Sequence, residues 1–337
     1  IFSTNPINSF PRVIKILLII FFVFEVKRLI KNYELKYMGH VFFSWFIIFL
    51  ILNIDILFEL TFGFNLIGNK SYMPARIASF FGDELVTGAF YHGFVLFFLS
   101  YLMFHKSKTY TLIFAIICVL LISFFIGERS NFTKSFLSII IFTSLVIKVD
   151  FKIKVVSFLI VLTTFITFIN FNQNYKVRYF DQIKVLFSPN GYSNYMKRSQ
   201  YGAHRNAAIK IFNENLYFGV GIKNYRHEVS KKKYENKEYV KTNLRQATHP
   251  HQIHHEMLSE TGIFGYLSFL IFIVLTLGFS INSYKKTKNL YQLSAIIFII
   301  TSLLPILPSG SFLSTFSSGI FWLNFAIMIS YIKRIKF

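Results

Sequence analysis

The sequence has 337 residues, of which 54% are hydrophobic and 44 are phenylalanine, and its mean hydropathy is +0.50. A soluble domain of this length could not bury so much apolar surface, so the composition excludes a soluble protein and predicts an all-α, polytopic membrane protein. The formal charge of +21 does not lead us to expect a nucleic-acid partner, because basic residues of a membrane protein are first sorted by the side of the bilayer that they face. The single cysteine, Cys118, excludes an internal disulfide and disfavours a thiolate metal site.

Nine apolar runs predict membrane-spanning helices, because most of them come close to the ~20 residues that a bilayer requires. They lie at residues 13–24, 40–60, 86–104, 110–127, 131–148, 152–172, 262–280, 289–308 and 317–333. The first run is short and contains Lys15, and we allow for its extension to Ile30. Because the chain opens on Ile1 rather than methionine, we expect upstream sequence, with further helices, to be missing. We therefore expect an N-terminal helix bundle (1–172), a long polar segment (173–257) and C-terminal helices (258–337).

The short links between these runs differ in charge on the two sides of the membrane. The positive-inside rule places the links that are rich in lysine and arginine in the cytoplasm. Fifteen such residues fall on this side: Lys27, Arg28, Lys31, Lys36, Lys106, Lys108, Lys148, Lys152, Lys154, Lys285, Lys286, Lys288, Lys333, Arg334 and Lys336. The other side then carries residues 61–85, 127–131, 309–316 and the whole segment 173–257. That segment is also basic, but long segments cross membranes largely regardless of charge.

Polar residues near the outer ends of the second and third runs each allow two interpretations. Arg76 and the acid pair Asp83–Glu84 could line a polar cavity, or they could belong to an interfacial belt with an acidic helix start. Asp55, Glu59 and His92 could form a proton path, or they could simply reach water near a helix end. The sequence leaves both alternatives open.

The tightest outer link, Gly127–Asn131, contains Arg129. A snorkelling arginine is the ordinary explanation for such a position. However, a guanidinium fork suits a phosphate or pyrophosphate headgroup, and charged groups at the membrane rim are commonly functional. We therefore favour anion binding for Arg129.

The polar segment is predicted to be folded rather than flexible. Residues 207–212 have the period of a short amphipathic helix, and Gly219–Gly221 marks a tight turn. A lone Gly-x-Gly without a third glycine is a weak nucleotide signal. Arg226 follows the turn and is a second candidate for binding an anion, whereas Lys231–Lys233 is interpreted as a solvated or lipid-facing run.

Four histidines and two glutamates lie within twelve residues between His249 and Glu260, where the polar segment enters an apolar run. From His251 onward the sequence predicts the first turns of a helix, which would place His251 and His255 on one face. Three interpretations remain: a zinc site, although the HExxH order is absent; a structural helix start with acids in its first turns and glycines for close packing; or a general base. A neutral imidazole, with an ordinary pKa near ~6.5, accepts a proton from a hydroxyl without any metal.

The order of these motifs resembles that of the O-antigen ligase and O-antigen polymerase superfamily. The resemblance rests on the turn Gly127–Asn131, the stretch Phe218–Arg226, the segment Thr248–Gln252 and the following Leu258–Gly265. It covers roughly residues 70–275, and its most specific part is the His-Pro-His segment that leads into Glu-x-Gly-x-x-Gly.

The resemblance implies a multi-pass glycosyltransferase of the bacterial inner membrane, with a GT-C-like fold and a large, mainly helical periplasmic loop at the active site. The implied donor is a glycan on undecaprenyl pyrophosphate, and the implied acceptor is lipid A-core, another lipid-linked repeat or a protein. Membrane lipids surround the chain, and the resemblance implies no metal and no nucleotide cofactor.

By the resemblance, His251 is the catalytic base, and Arg129 and Arg226 bind the pyrophosphate. Arg76 is a further candidate for that role. The expected supporting residues are His249, Glu256 and Glu260.

The sequence also permits a function of another class. A transporter or flippase for a lipid-linked or anionic solute could use Asp55, Glu59 and His92 as coupling groups. Transport predicts a polar path into the cytoplasmic half, and the inner halves of the predicted spans contain few titratable residues.

Overall fold

The computed structural model of the chain describes residues 3–33, 35–82, 84–235, 242–313 and 315–332. Within these ranges the chain forms helices and turns and no β-strand. Asp83 and the predicted cytoplasmic cations Lys333, Arg334 and Lys336 lie outside the described residues, as does the side chain of Lys36.

The helices follow one another along the whole described chain. The α-helices are α1 (Pro6–Asn32), α2 (Leu35–Phe62), α3 (Thr87–Phe104), α4 (Thr109–Phe125), α5 (Arg129–Val146), α6 (Phe151–Phe171), α7 (Gln173–Lys176), α8 (Gln182–Lys184), α9 (Gly191–Arg198), α10 (Gln200–Glu214), α11 (Tyr225–Glu228), α12 (Ile253–Thr287), α13 (Leu290–Ser302) and α14 (Thr315–Ser330). Short 3-10 turns lie at Ser79–Phe81, Val185–Phe187, Lys232–Tyr234 and Thr242–Arg245, and a π-helical turn lies at Val177–Asp181.

Each of the nine apolar runs coincides with one of the longer helices: α1 to α6 and α12 to α14. In the described part of the chain, four helices are long and apolar enough to cross a membrane, namely Met38–Phe62, Thr87–Phe104, Phe151–Phe171 and Ile253–Thr287. Three apolar helices are shorter: Thr109–Phe125, Leu290–Ser302 and Phe316–Ser330. The chain is therefore an all-helical, multi-pass membrane protein, while the number of nine spans stays a prediction.

One run was predicted too long. The run 289–308 is helical only as far as Ser302, where α13 ends. Pro305 and Pro308 follow, and proline lacks the N–H that a helix needs and disfavours helix in the residue before it. The chain from 303 to 308 therefore forms a turn whose carbonyl groups are open to side chains.

The chain divides into two compact units. Unit 1 comprises residues 1–27, 185–283 and 302–337, and unit 2 comprises residues 28–184 and 284–301. The predicted division at residues 172 and 257 concerns the sides of the membrane and stays a prediction.

Unit 2 is a helix bundle with an aromatic core. Buried residues of α2 to α5 and α13 pack together, among them Phe49, Tyr91, Val119 and Phe142. Phe42 stacks on Tyr291 with ring centroids 3.7 Å apart. Aromatic packing of this kind accounts for part of the high phenylalanine content of the sequence.

Unit 1 has a smaller core outside the apolar helices. Ala207, Ala208 and Ile211 of α10 are fully buried and pack with Val220 and Tyr225. The amphipathic helix predicted at residues 207–212 is therefore confirmed as part of α10. Helix α10 therefore packs against the turn at Gly219–Gly221 and against the start of α11, on which Arg226 lies.

Candidate functional site

The site in unit 1 is built where the turn at Gly219–Gly221 meets a break in α12. Gly262 has a φ of +66° and a ψ of −170°, so the helical backbone is interrupted there. A Cβ atom on Gly262 would lie 2.4 Å from the backbone of Tyr217, and one on Gly219 would lie 2.5 Å from the backbone of Glu260. Only glycine tolerates both this φ and this approach. Close helix packing at Gly262 was part of one of the three interpretations of this stretch, and the structure places a backbone turn against this glycine.

Backbone hydrogen bonds join the two segments. The N–H of Val220 donates to the carbonyl of Ser259 (3.0 Å), and the N–H of Gly221 donates to the carbonyl of Glu260 (2.9 Å). The N–H of Ile263 returns a bond to the carbonyl of Leu216 (2.8 Å). These bonds also satisfy carbonyl groups that the break in α12 frees from helical pairing.

Glu260 holds the residues that follow the turn. Its carboxylate accepts hydrogen bonds from the backbone N–H of Lys223 (2.7 Å) and of Tyr225 (3.3 Å). The side chain is only 1% exposed, so these contacts replace the water that a carboxylate would otherwise require. Glu260 therefore fixes the start of α11, on which Arg226 lies.

Glu256 lies one helical turn earlier and holds the loop before α14. It accepts hydrogen bonds from the Ser311 hydroxyl (2.5 Å) and from the Phe312 N–H (2.7 Å). The Lys223 ammonium in turn donates to the Ser311 hydroxyl oxygen (2.9 Å). A buried lysine is thus linked through one hydroxyl to a buried carboxylate.

Lys223 was not singled out by sequence analysis. Burial lowers its pKa, the charges of Glu256 and Glu260 act in the opposite direction, and Arg226 and Arg12 lower the pKa further. Lys223 therefore interacts electrostatically with two acidic and two basic residues of unit 1: Glu256, Glu260, Arg226 and Arg12. The one sequence signal that could have identified Lys223 is its position directly after the turn Gly219–Ile222. Its acidic neighbours, Glu256 and Glu260, are distant in the sequence.

His251 lies just outside α12. The helix begins at Ile253, and His251 has a left-handed φ of +52°. The prediction that the helix starts at His251 is therefore wrong, because Pro250 and this positive φ hold the residue in a turn. Its carbonyl accepts a hydrogen bond from the N–H of Ser309 (2.9 Å).

The imidazole of His251 lies between two others. The centroid of its ring is 4.1 Å from that of His249 and 5.0 Å from that of His204, on which it stacks at 18°. We call His204, His249 and His251 the histidine cluster. His204 was missed by sequence analysis, because it comes from α10 and only the tertiary fold brings it to the motif.

The three imidazoles differ in basicity. Burial, with the charge of His251 as the next cause, lowers the pKa of His249 to about 3 and that of His204 to about 4. Burial alone lowers the pKa of His251. The charges of Lys223 and Arg226 also contribute to the lowered pKa of His249.

A zinc site is not supported by this geometry. The described residues contain no group of three or more His, Cys, Asp or Glu side chains that could hold a metal ion. The expected pairing of His251 and His255 on one helix face is wrong, because only His255 is helical.

The neighbouring polar residues position the start of α12. Both ring nitrogens of His254 are engaged, with the Leu303 carbonyl (2.9 Å) and the Tyr266 hydroxyl (2.9 Å). The Gln252 amide donates to the Pro305 carbonyl (2.8 Å) and accepts from the N–H of His255 (2.9 Å). These hydrogen bonds join the turn at residues 303–308, which follows α13, to the start of α12.

In unit 2, two of the three predicted anion-binding arginines, Arg129 and Arg76, lie around the turn at Gly127. Arg129 donates to the carbonyl of Arg178 (3.2 Å), and Arg178 donates to the carbonyl of Gly127 (2.5 Å). Arg76 forms an ion pair with Glu128 at 3.1 Å and donates to the carbonyl of Leu85 (2.8 Å). Arg178 was missed by sequence analysis, because its contact with Gly127 joins residues that are distant in the sequence.

Glu128 ties this turn to α3. It accepts hydrogen bonds from the N–H of Gly88 (3.2 Å) and from the Asn131 amide (2.6 Å) in addition to the pair with Arg76. Arg76 therefore has a structural partner at the same turn as Arg129.

Asp55 and Glu59 organise the loop after α2. Asp55 accepts hydrogen bonds from the Ser79 hydroxyl (2.5 Å) and the Leu66 N–H (2.7 Å), and Glu59 accepts from the Ser79 N–H (2.6 Å). His92 contacts the hydroxyls of Thr301 (2.9 Å) and Ser138 (3.3 Å). These partners give both carboxylates a structural role in the loop and give His92 a separate hydroxyl environment.

Comparison with known proteins places these motifs in one family. A family model described as O-antigen ligase matches residues 87–270, more than half of the chain. The matched range contains Arg129, Arg226, Glu256, Glu260 and the whole histidine cluster, while α1 and Arg76 lie outside it. No curated protein matches the chain. The polar turn, the broken helix and the histidine cluster all fall within the match, and the chain belongs to the O-antigen ligase family.

Proposed function

We propose that the protein transfers a glycan from undecaprenyl pyrophosphate to an acceptor hydroxyl. The transfer takes place at the periplasmic face of a bacterial inner membrane and needs no metal. Family membership supports a glycan-transferring membrane enzyme. The observation that carries the proposal is the histidine cluster, in which the ring centroid of His251 lies 4.1 Å from that of His249 and 5.0 Å from that of His204.

His251 acts as the general base in this proposal. As a neutral imidazole it takes the proton of the acceptor hydroxyl, whose oxygen attacks the anomeric carbon. The bond from that carbon to the pyrophosphate oxygen breaks on the opposite face, so the configuration inverts. The bond electrons leave with the pyrophosphate.

Cations stabilise the negative charge that grows on the departing pyrophosphate. Arg226, half-buried on α11, and Arg129, at the Gly127 turn, are proposed for this role. Arg76 is the weaker candidate, because Glu128 already pairs with it. Glu256 and Glu260 support the site through the loops that they hold.

Purified protein with a purified lipid-linked donor and acceptor tests the catalytic roles. The His251→Ala and Arg129→Ala variants are each expected to lose transfer by a factor of at least ~100, within the range of general-base and electrostatic contributions. His227→Ala is the matched control, because His227 is an exposed histidine of α11. Full transfer by a folded His251→Ala protein would exclude His251 as the base.

The acceptor is defined by the glycans of a deletion strain. Lipid A-core that carries a single repeat indicates a lost polymerase, whereas free lipid-linked polymer beside a bare core indicates a lost ligase. Unchanged glycans together with an unglycosylated protein indicate a protein acceptor.

A further inference from the structure

Three consecutive large apolar residues of the polar segment are exposed: Leu216, Tyr217 and Phe218. They lie between the end of α10 and the turn at Gly219–Gly221. Tyr217 alone is 59% exposed. A run of exposed apolar side chains is unfavourable on a surface that faces water, and such a run commonly marks a surface that binds a partner or enters a membrane. This stretch therefore calls for an apolar neighbour.

Backbone hydrogen bonds hold the stretch against the start of the apolar part of α12. The N–H of Ile263 donates to the carbonyl of Leu216 (2.8 Å), and the N–H of Phe264 donates to the carbonyl of Tyr217 (3.4 Å). The centroid of the Phe264 ring lies 5.8 Å from that of Tyr217, on which it stacks, and 5.7 Å from that of Phe218. Phe264 is itself 55% exposed. We call Leu216, Tyr217, Phe218 and Phe264 the apolar patch.

The apolar patch continues one side of α12. Leu267, Ile271 and Val274 are exposed, and they follow Phe264 at spacings of three and four residues, which places all four on the same side of the helix. Helix α12 is long and apolar enough to cross a membrane, so this side faces lipid chains. The apolar patch is therefore the end of a surface that lipid covers.

The length of α12 gives the depth of the apolar patch. The basic residues of its last turn are Lys285 and Lys286, and both are exposed. Between Phe264 and Lys285 the helix rises by ~32 Å, which is close to the ~30 Å thickness of the hydrocarbon core of a bilayer. Lysines near a helix end reach the boundary between lipid and water. With Lys285 at one boundary of the core, Phe264 lies at the other.

We propose that the apolar patch is embedded in the headgroup boundary of the bilayer, on the side opposite to Lys285 and Lys286, and that it anchors the polar segment to the membrane. A tyrosine suits this boundary because its ring is apolar and its hydroxyl reaches water. The turn at Gly219–Gly221 follows the patch directly. The anchor therefore sets the depth of this turn relative to the lipid headgroups.

Spin labelling measures this depth in the full chain reconstituted in liposomes. A Cys118→Ser background removes the single cysteine of the sequence, and a nitroxide is attached to the Tyr217→Cys variant. Ile271→Cys gives the reference for a lipid-facing position, and Ser230→Cys gives the reference for an exposed position of the polar segment. Collisions with oxygen, which concentrates in lipid, and with a nickel chelate, which stays in water, report the depth of each label.

We expect the label at residue 217 to lie on the hydrocarbon side of the lipid phosphates and within ~10 Å of them. The label at residue 271 should lie roughly 10 Å deeper, as the helical rise requires, and the label at residue 230 should meet the nickel chelate freely. If the labels at residues 217 and 230 meet the chelate equally, the proposal is overturned and the patch is open to a water-soluble ligand. A label at residue 217 that meets neither reagent also overturns it, because a protein partner then covers the patch.

Fluorescence gives a second measurement with a conservative aromatic substitution. Tyr217→Trp is placed in a Trp45→Phe/Trp322→Phe background, because the sequence contains two tryptophans. Lipid brominated near the headgroup end of its acyl chains is expected to quench this tryptophan more strongly than lipid brominated near the chain ends. Equal emission in brominated and ordinary lipid would contradict membrane contact. Both measurements are made without donor or acceptor, so their outcome does not depend on the proposed reaction.

Discussion

At the residue scale, the charge of His251 affects the protonation of the other two members of the histidine cluster, His204 and His249. A proton on His251 opposes protonation of the other two, whose pKa values fall to about 4 for His204 and about 3 for His249. Near neutral pH the imidazoles of His204 and His249 are therefore uncharged.

This arrangement predicts the pH dependence of transfer. Burial lowers the pKa of His251, so this imidazole stays neutral, and able to accept a proton, at pH values somewhat below its ordinary ~6.5. We expect kcat/KM to stay level as the pH falls to ~6.5 and to decline only at lower pH. The profile is measured with a saturating acceptor, and donor binding is followed over the same pH range as the control. A decline that begins above neutral pH would contradict a lowered pKa for the base.

At the scale of elements, α12 is two helical segments joined at Gly262. The N-terminal segment carries Glu256 and Glu260, and the C-terminal segment is the apolar part of the helix. The break allows the turn at Gly219 to enter the helix backbone, so Glu260 can reach the N–H groups of Lys223 and Tyr225. A continuous helix would exclude these contacts.

Substitution of Gly262 tests this role. Gly262→Ala is expected to destabilise the protein by at least ~2 kcal/mol, since alanine is strained at this φ and its Cβ would displace the Tyr217 backbone. Gly278→Ala in the same helix is the control, because a Cβ there meets no atom within 4 Å. It should be neutral or slightly stabilising, by up to ~1 kcal/mol. Thermal unfolding in detergent measures both, and equal melting temperatures would exclude a required glycine at 262.

The sequence predicted the helices well and the site only in part. Apolar runs located α1 to α6 and α12 to α14, because hydrophobic length and period are local properties. The left-handed His251 and the turn packed at Gly262 were not foreseen, because helical period continues through both positions. His204, Lys223 and Arg178 were missed for a different reason: their roles come from contacts with residues distant in the chain.

At the scale of the whole molecule, the two units divide the polar chemistry. Unit 1 holds the histidine cluster, Lys223 and Arg226. Unit 2 holds the turn of Arg129 and Arg178. The alternation of basic links along the chain assigns a side of the membrane to each link, and that assignment is open to direct measurement.

Cysteine labelling tests the predicted sides. In a Cys118→Ser background, Ser230→Cys lies at an exposed position of the polar segment, and Lys108→Cys lies at an exposed position of a predicted cytoplasmic link. A membrane-impermeant maleimide applied to spheroplasts is expected to label the Ser230→Cys variant, and to label the Lys108→Cys variant only after lysis. The reverse pattern would place the polar segment in the cytoplasm and remove the periplasmic reaction.

The interlocked glycine segments also have a consequence for chain length. Backbone hydrogen bonds join residues 216–221 to residues 259–263. The chain between these two segments is therefore a loop whose ends are held together, and we call the joined ends its stem. Lengthening such a loop costs little, because the entropy of loop closure grows only slowly with loop size. In proteins that share this stem, the length of the loop can therefore change while the geometry of the stem is preserved.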